Sequence, residues 1–240
     1  ITDNNFSVSQ RNIIVQSNGV VTIIRNKFKG FKLAIDTTGS VPQSLTVSDN
    51  QFTEGFQAVQ TSSVSSIATF SNNIVEFVSV AVNFTATASD SGLNVLYNKF
   101  IDCTCSFTQG LINLRALSKQ AARINVLQNE FTSINAQSSN GVVVVKSDTS
   151  ASTLINLSNN VFKDVLGTSA SIDNRQDALI EVYLAQNIFM NPGTQYDLEI
   201  NGVVKVPADA SYNYWGSSDW KSVSSRVPDL ETAKLSPFFL

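Results

Sequence analysis

The sequence predicts an all-β protein, a right-handed parallel β-helix solenoid of about nine coils with a C-terminal cap. The first observation is a repeat: nine times an asparagine is followed, usually two residues later, by a large apolar side chain, and these asparagines lie 22 to 31 residues apart. Repetition at such a period is typical of solenoids. The second is alternation of apolar and polar residues over short stretches, which is strand periodicity, with no apolar stripe at helical spacing.

Each repeat predicts about three short strands and three bends. Alternating apolar pairs such as Leu45 and Val47 precede the asparagine, and steps such as Lys29-Gly30 provide turn chemistry. A further apolar residue begins the next strand five or six positions after the asparagine, in the series Phe31, Phe56, Phe77, Cys103, Ile134 and Val165. The core is predicted to contain Phe28, Phe52, Phe100, Phe131, Phe162 and Phe189.

The recurring asparagines are predicted to form a structural column at one bend. A buried bend leaves backbone groups unpaired, and an asparagine amide both donates and accepts hydrogen bonds and tolerates left-handed backbone geometry. Stacked coil on coil, the amides can also bond to one another. The predicted column is Asn26, Asn50, Asn72, Asn98, Asn129, Asn160, Asn187 and Asn213, after an initial Asn4.

Residues 1–240 are predicted to form one domain, with coils over residues 1–209 and the last coil and cap over residues 210–240. An uncapped solenoid end exposes its core and its strand edges. Trp215 and the terminal Phe238-Phe239 are suited to cover that end. Because the chain opens in mid-pattern without Met, we expect it to be a fragment of a larger protein.

Composition excludes several classes of ligand. Net charge is −3 and no Lys/Arg cluster occurs, so the sequence does not predict nucleic-acid binding. No apolar run is long enough to predict a membrane span. Histidine is absent, and Cys103 and Cys105 lack zinc-site spacing, so we predict buried free thiols and no cofactor.

Three Asn-x-Ser/Thr sequons are candidate glycosylation sites if the protein is extracellular. Asn83 is predicted to lie in a loop after the apolar strand 77–82, which makes it the best candidate. Asn5 and Asn156 lie within strand-and-turn patterns and are weaker candidates.

A column of carboxylates is the candidate catalytic or metal site. Glu54, Glu76 and Asp102 each follow their asparagine by four residues in consecutive repeats, so they are predicted to stack about 5 Å apart. Such a row can form a calcium site, a general acid/base pair or an acidic docking edge. A solvated turn is the alternative, and we predict no metal.

Insertions are candidate binding loops, because function concentrates on solenoid loops. The longer repeats place these loops at residues 118–121, 137–140, 147–150 and 167–177.

The closing segment carries a family resemblance. Asn213-Tyr214-Trp215-Gly216, then Pro228-Asp229 and Ser236-Pro237-Phe238, resemble the end of parallel β-helix domains in the pectate-lyase-like superfamily. The chain is most similar to non-enzymatic extracellular modules, including those of Anakonda-type junction receptors. Histidine-containing catalytic signatures of the superfamily are missing.

The resemblance implies a non-catalytic extracellular recognition or adhesion module of a surface protein. Its partner is expected to be a protein, including another copy of the chain, or a glycan, and the chain is expected to be a monomer or weak dimer. One alternative is a polysaccharide lyase or glycoside hydrolase acting on acidic polysaccharide through Glu54, Glu76 and Asp102. A structural stalk is the second alternative.

Overall fold

The protein is a parallel β-solenoid, described by a computed structural model. The structure describes residues 1–62, 67–86, 91–106, 109–117, 122–137, 140–147, 152–174, 179–192, 196–202, 208–217, 219–227 and 233–234. Within these ranges it is all-β except for one helix of five residues. The predicted fold class is therefore confirmed.

The strands, in chain order, are β1 (Asn5–Ile14), β2 (Val20–Ile24), β3 (Lys27–Asp36), β4 (Ser44–Ser48), β5 (Gln51–Thr61), β6 (Ile67–Ser71), β7 (Ile74–Ala86), β8 (Gly92–Leu96), β9 (Lys99–Ile101), β10 (Ile112–Ala116), β11 (Ala122–Leu127), β12 (Glu130–Thr132), β13 (Val143–Ser147), β14 (Ser152–Ser158), β15 (Val161–Lys163), β16 (Ala170–Asn174), β17 (Leu179–Tyr183), β18 (Ile188–Met190), β19 (Leu198–Asn201), β20 (Ala208–Asp209) and β21 (Ala233–Lys234), with helix α1 (Trp220–Ser224) before β21. One sheet has nine strands, in the order β2-β4-β6-β8-β11-β14-β17-β20-β21. The other sheet has twelve and contains the remaining strands.

The solenoid has about six turns, fewer than the nine coils predicted. In the nine-stranded sheet, seven strands have five or more residues, from β2 to β17, and six turns separate the first from the last. The terminal repeats are incomplete: β20 and β21 have two residues each, and the first repeat joins this sheet only through the bridge between Thr2 and Ile24. The number of recurring asparagines therefore exceeds the number of complete turns, because the terminal repeats each contain an asparagine without completing a coil.

The four N-terminal coils differ from the rest in the twelve-stranded sheet. There each coil contributes one long strand of 10 to 13 residues, namely β1, β3, β5 and β7. Later coils contribute two short strands instead, such as β9 with β10 or β12 with β13. Three strands per coil, as predicted, thus hold for the C-terminal coils only. The long strands make a broad surface at the N-terminal end.

A column of stacked aromatic rings fills the core. Neighbouring ring centroids from Phe6 through Phe28 to Phe52 lie 4.8 to 4.9 Å apart. From Phe100 to Trp215 they lie 4.6 to 5.1 Å apart. The six predicted core phenylalanines are all at most 1% exposed, which confirms that prediction. Their burial is the main stabilising term, since each large side chain contributes about 2–3 kcal/mol.

An asparagine ladder runs beside the aromatic column. In each coil the side-chain oxygen accepts hydrogen bonds from the backbone N–H and the amide of the asparagine one coil earlier; for Asn26 onto Asn50 these are 2.8 and 3.1 Å. The ladder comprises Asn4, Asn26, Asn50, Asn73, Asn98, Asn129, Asn160, Asn187 and Asn213. These bonds satisfy backbone groups that the bend would leave unpaired.

One predicted member of the ladder is wrong, because Asn73 and not Asn72 occupies that position. Asn50 donates to Asn73 Oδ1, Asn73 is 1% exposed, and Asn72 is exposed at the preceding position. Asn72 adopts the left-handed conformation with φ 54°, as do the residues that precede the other ladder asparagines. The left-handed geometry predicted for the ladder asparagines therefore belongs to the residue before each of them.

Phe56 and Phe77, which were predicted to begin the next strand of their coils, lie inside the long strands β5 and β7 and point outward. Phe56 is 45% and Phe77 is 58% exposed. The inward position five residues after the ladder asparagine is taken by Gly55 and Val78 in these coils. Gly55 leaves space that the buried Phe31 ring occupies, because a Cβ at Gly55 would lie 2.2 Å from that ring.

The C-terminal segment packs on the last coils. Trp215 is fully buried and its ring stacks 4.6 Å from Phe189 at the end of the aromatic column. Helix α1 follows, with Asp219 accepting a hydrogen bond from Ser222 N–H at its N-terminus. Phe238 and Phe239, predicted to complete the cap, lie outside the described residues.

Candidate functional site

The candidate site is a groove on the outer surface of the four N-terminal coils, here called the N-terminal groove. It consists of three adjoining cavities of about 630, 450 and 270 Å³ over β1, β3, β5 and β7. Glu54 lines the first and second cavities, and Phe56 lines the first and third. The cavities are shallow and open to solvent, and their lining is both polar and apolar, which suits a ligand that lies along the surface.

Two apolar side chains in this groove are exposed at strained backbone positions. Val8 is 84% exposed with φ 32°, and Phe77 is 58% exposed with φ 54°. Left-handed geometry costs a residue with a Cβ about 1–2 kcal/mol, and the cost falls hardest on β-branched and bulky side chains. Gly30, at the corresponding position of the second coil, has φ 66° without that cost. Such strain is typical of functional sites.

Phe56 extends the apolar part of the groove. It is 45% exposed and lines two of the three cavities beside Lys32 and Gln10. With Val8 in the same cavity and Phe77 in the next, it gives the groove apolar surfaces on three coils. Exposed apolar side chains that cluster and are rimmed by polar residues mark contact sites.

The charged residues of the groove leave a cationic excess. Lys29 Nζ lies 3.0 Å from Glu54 Oε1, and Arg11 Nη1 lies 3.3 Å from the buried Asp36 Oδ2. Lys27 and Lys32 are exposed and have no carboxylate within 4.0 Å in the described part of the chain. These two ammonium groups are available to an anionic ligand.

The predicted carboxylate column is not one row, which is a correction. Strand pairing places Glu76 opposite Thr53 and Ile101, so Glu76 is one position out of line with Glu54 and Asp102. Phe77 takes the intervening place and, like Glu54 and Asp102, is left-handed. No group of three or more metal-ligating side chains occurs in the described ranges. Glu54 and Glu76 still line the same 450 Å³ cavity.

The wrong placement of Glu76 and the failure to predict Phe77 in this row have the same cause. The pair Asn72-Asn73 allows two alignments of this repeat, and counting from Asn72 places Glu76 in the column. Counting from Asn73 places Phe77 there, in line with Gly30 of the second coil. A phenylalanine at a position suited to glycine was the signal that could have revealed the groove.

The three sequons differ in accessibility. Asn5 is exposed at the start of the edge strand β1. Asn83 lies inside β7, half-buried and paired with Gln60 and Asn113, so the predicted loop position is wrong. Asn156 is half-buried within β14. Of the three, Asn5 is the most accessible acceptor.

Both cysteines are buried free thiols. Burial raises the pKa of Cys103 to about 12, so its thiolate is not formed near neutral pH. Cys103 therefore packs as a small apolar side chain.

A buried polar cluster lies at the other end of the solenoid. Asp197 Oδ2 is 2.5 Å from Arg226 Nη2, and Asp197 Oδ1 accepts from Asn191 Nδ2 at 2.7 Å and from Ser169 Oγ at 3.3 Å. Burial raises the pKa of Asp197 to about 6, against the opposing effect of the Arg226 charge. Arg226 also donates to the carbonyls of Trp215 and Asn191, so the cluster ties the closing segment to the last coils.

Three of the predicted binding loops lie partly or wholly outside the described residues, which omit 118–121, 138–139 and 148–150. The fourth prediction, an exposed loop over residues 167–177, is wrong for its described part, because residues 170–174 form strand β16 and Ala170 and Ile172 are buried. In the described parts of the chain, no helix is long and apolar enough to cross a membrane.

No protein family, curated protein or solved structure matches the chain.

Proposed function

We propose that the chain is a non-catalytic extracellular recognition module that binds a glycan along the N-terminal groove. The observation that carries this proposal is the exposure of Val8 and Phe77 at left-handed positions inside a groove. The fold would be more stable with glycine or asparagine at both positions, so a binding role accounts for the apolar side chains.

The groove suits a chain of sugar rings that carry acidic groups. Phe56 and Phe77 offer ring faces for the apolar faces of sugars, and the amides of Gln10 and Gln51 offer hydrogen bonds to hydroxyls. Lys27 and Lys32 have no carboxylate partner among the described residues and can pair with acidic groups on the ligand. The cavities adjoin along several coils, so the ligand is extended rather than compact.

Two further points support a module without catalysis and outside the cell. The closing motif around Trp215 resembles non-enzymatic extracellular modules of the pectate-lyase-like superfamily, and the sequon at Asn5 is exposed. Phe77 interrupts the row in which Glu54 and Asp102 lie. A single line of three carboxylates is thus unavailable for catalysis.

Binding to an array of acidic and neutral glycans, followed by calorimetry, tests the proposal. We expect Phe77→Asn and Lys32→Gln each to weaken binding about tenfold, since each removes a contact of about 1.4 kcal/mol. The matched control is Tyr97→Asn, because Tyr97 is also a left-handed aromatic, 54% exposed, but lies outside the groove. If no glycan binds, or if binding persists in Phe77→Asn, the proposal is wrong.

A glycoside hydrolase or lyase is the second candidate, favoured by the presence of Glu54 and Glu76 in one cavity. Two carboxylates flanking a sugar are the usual machinery of glycoside hydrolysis. Release of reducing or unsaturated ends from acidic polysaccharide, abolished by Glu76→Gln, would establish it. A structural stalk would show neither binding nor release.

A further inference from the structure

The outer surface of the nine-stranded sheet, here called the flat face, is almost without charge. It has three outward rows over the seven strands from β2 to β17. The first row is Val20, Ser44, Ile67, Gly92, Arg123, Leu154 and Glu181; the second is Thr22, Thr46, Thr69, Asn94, Asn125, Asn156 and Tyr183; the third is Ile24, Ser48, Ser71, Leu96, Leu127 and Ser158. Arg123 and Glu181 are the charged members of these rows, and Asp209 of β20 continues the second row beside Tyr183.

The contrast with the twelve-stranded sheet makes this composition informative. One outward row of that sheet contains Arg115, Lys146 and Asp173 on consecutive strands, and another contains Lys99 and Glu130. A solvated sheet surface usually bears charges, which oppose face-to-face association. The flat face instead presents hydroxyls, amides and apolar side chains, such as Tyr183 at 45% exposure. This composition is typical of a surface that contacts another protein.

Two charged residues of the first row, Arg123 and Glu181, are opposite in sign and symmetrically placed. Arg123 and Glu181 occupy the same row, one strand before and one strand after Leu154. Strands in a sheet are about 4.8 Å apart, so the two side chains start about 10 Å from each other and do not form a direct pair within one chain. A second copy with its solenoid axis reversed, related by a two-fold axis parallel to β14 at the level of Leu154, brings each Arg123 opposite the other copy's Glu181.

We propose that the flat face is the docking site of a second copy of this chain, in this antiparallel two-fold arrangement. Isologous contacts of this kind are the commonest in homo-oligomers. Leu154 then meets Leu154 and Asn156 meets Asn156, while Arg123 and Glu181 form two ion pairs across the interface. The opposed charges favour this orientation, because a copy with parallel axes, related by a two-fold through the middle row, places Arg123 opposite the row of Leu127 and forms neither ion pair.

The size of the contact indicates a weak dimer. The part of the flat face shared by both copies runs from β8 to β20, about 24 Å along the solenoid and about 16 Å along the strands. Burial on both copies is on the order of 800 Å², below the roughly 1,000 Å² expected of a stable interface. Weak like-with-like contact suits adhesion, in which many modules act together. The proposal does not depend on the ligand of the N-terminal groove, which lies on the other sheet.

Sedimentation equilibrium of the whole chain over a range of concentrations tests the dimer. We expect Arg123→Glu and Glu181→Arg each to raise the dimer Kd about tenfold or more, because each places like charges in contact. The double exchange should return the Kd to within about threefold of the original value, since it restores both pairs. Lys163→Glu is the matched control: it reverses an exposed charge on the twelve-stranded sheet and should leave the Kd unchanged.

Thermal unfolding of each variant separates a lost contact from a lost fold. A monomer at all concentrations up to about 1 mM would overturn the proposal, since a Kd above that value corresponds to less than about 4 kcal/mol of binding. So would a dimer that survives both single exchanges. Disruption by Ile14→Lys, at the exposed edge strand β1, with no effect of Arg123→Glu, would instead assign association to the N-terminal end of the solenoid.

Discussion

Phe70 occupies the space in the aromatic column beside Val75, the coil position that lacks an aromatic ring. Val75 pairs between Phe52 and Phe100 in the twelve-stranded sheet, where the other coils have an aromatic ring. Phe70 reaches the same level from β6 in the nine-stranded sheet, with ring centroids 5.9 Å from Phe52 and 6.5 Å from Phe100. The two sheets therefore share one aromatic column, since close packing leaves room for one large ring at each level.

This relationship predicts coupling between the two positions. Val75→Phe alone should destabilise the fold by about 1–3 kcal/mol through overpacking, and Phe70→Val alone by about 2 kcal/mol through a cavity. The double exchange should cost less than the sum of the two, because one ring again occupies the level. Urea unfolding of the three variants measures the coupling. Additive losses would show that Phe70 does not occupy the space beside Val75.

The adjacent asparagines Asn72 and Asn73 make a matched pair for testing the ladder. Asn73→Ala removes the acceptor of Asn50 N–H and amide and two donations of its own, so we expect a loss of about 4 kcal/mol. Asn72→Gly keeps the left-handed conformation and should cost about 0.5 kcal/mol or less. Denaturant unfolding compares them. The reverse order would return the ladder to Asn72.

We predict that Phe77 lowers the free energy of unfolding and at the same time contributes to glycan binding. Replacing it with Asn, which tolerates φ 54°, should raise the free energy of unfolding by about 0.5–1 kcal/mol. The same variant should lose glycan binding. Chemical denaturation provides the measurement, with Tyr97→Asn as a left-handed aromatic outside the groove. A destabilised Phe77→Asn protein would mean that the ring contributes to the fold rather than to a contact.

Asp197 predicts a pH dependence of stability in mild acid. Because burial raises its pKa from 3.8 to about 6, the folded protein binds more protons than the unfolded chain between these values. Stability from this group is therefore greatest below pH 4 and falls as pH rises to about 6, by about 3 kcal/mol.

Asp197→Asn should remove that slope, whereas Asp164→Asn, at an exposed turn, should retain it. Thermal melts from pH 4 to pH 7 in buffers of equal ionic strength measure the slope. A slope unchanged in Asp197→Asn would assign the titration to another group.

Residue periodicity was sufficient to predict the parallel fold and the buried phenylalanines. Alternation defines which side of a strand faces the core, and Phe28, Phe52 and Phe131 obey it without ambiguity. Register within a repeat was less secure. At Asn72-Asn73 both alignments give an asparagine followed by apolar residues, and a one-residue shift exchanged Glu76 for Phe77 in the turn column.

The sequence by itself determined the coil, its repeat and its core, because these follow from local alternation and a recurring buried amide. Only the tertiary structure decided which residues share a surface. In the groove around Phe77 and on the flat face around Leu154, neighbouring side chains come from different coils and are more than 20 residues apart in the sequence. Their juxtaposition depends on the pairing register between coils, which is fixed by packing and the ladder rather than by any one repeat.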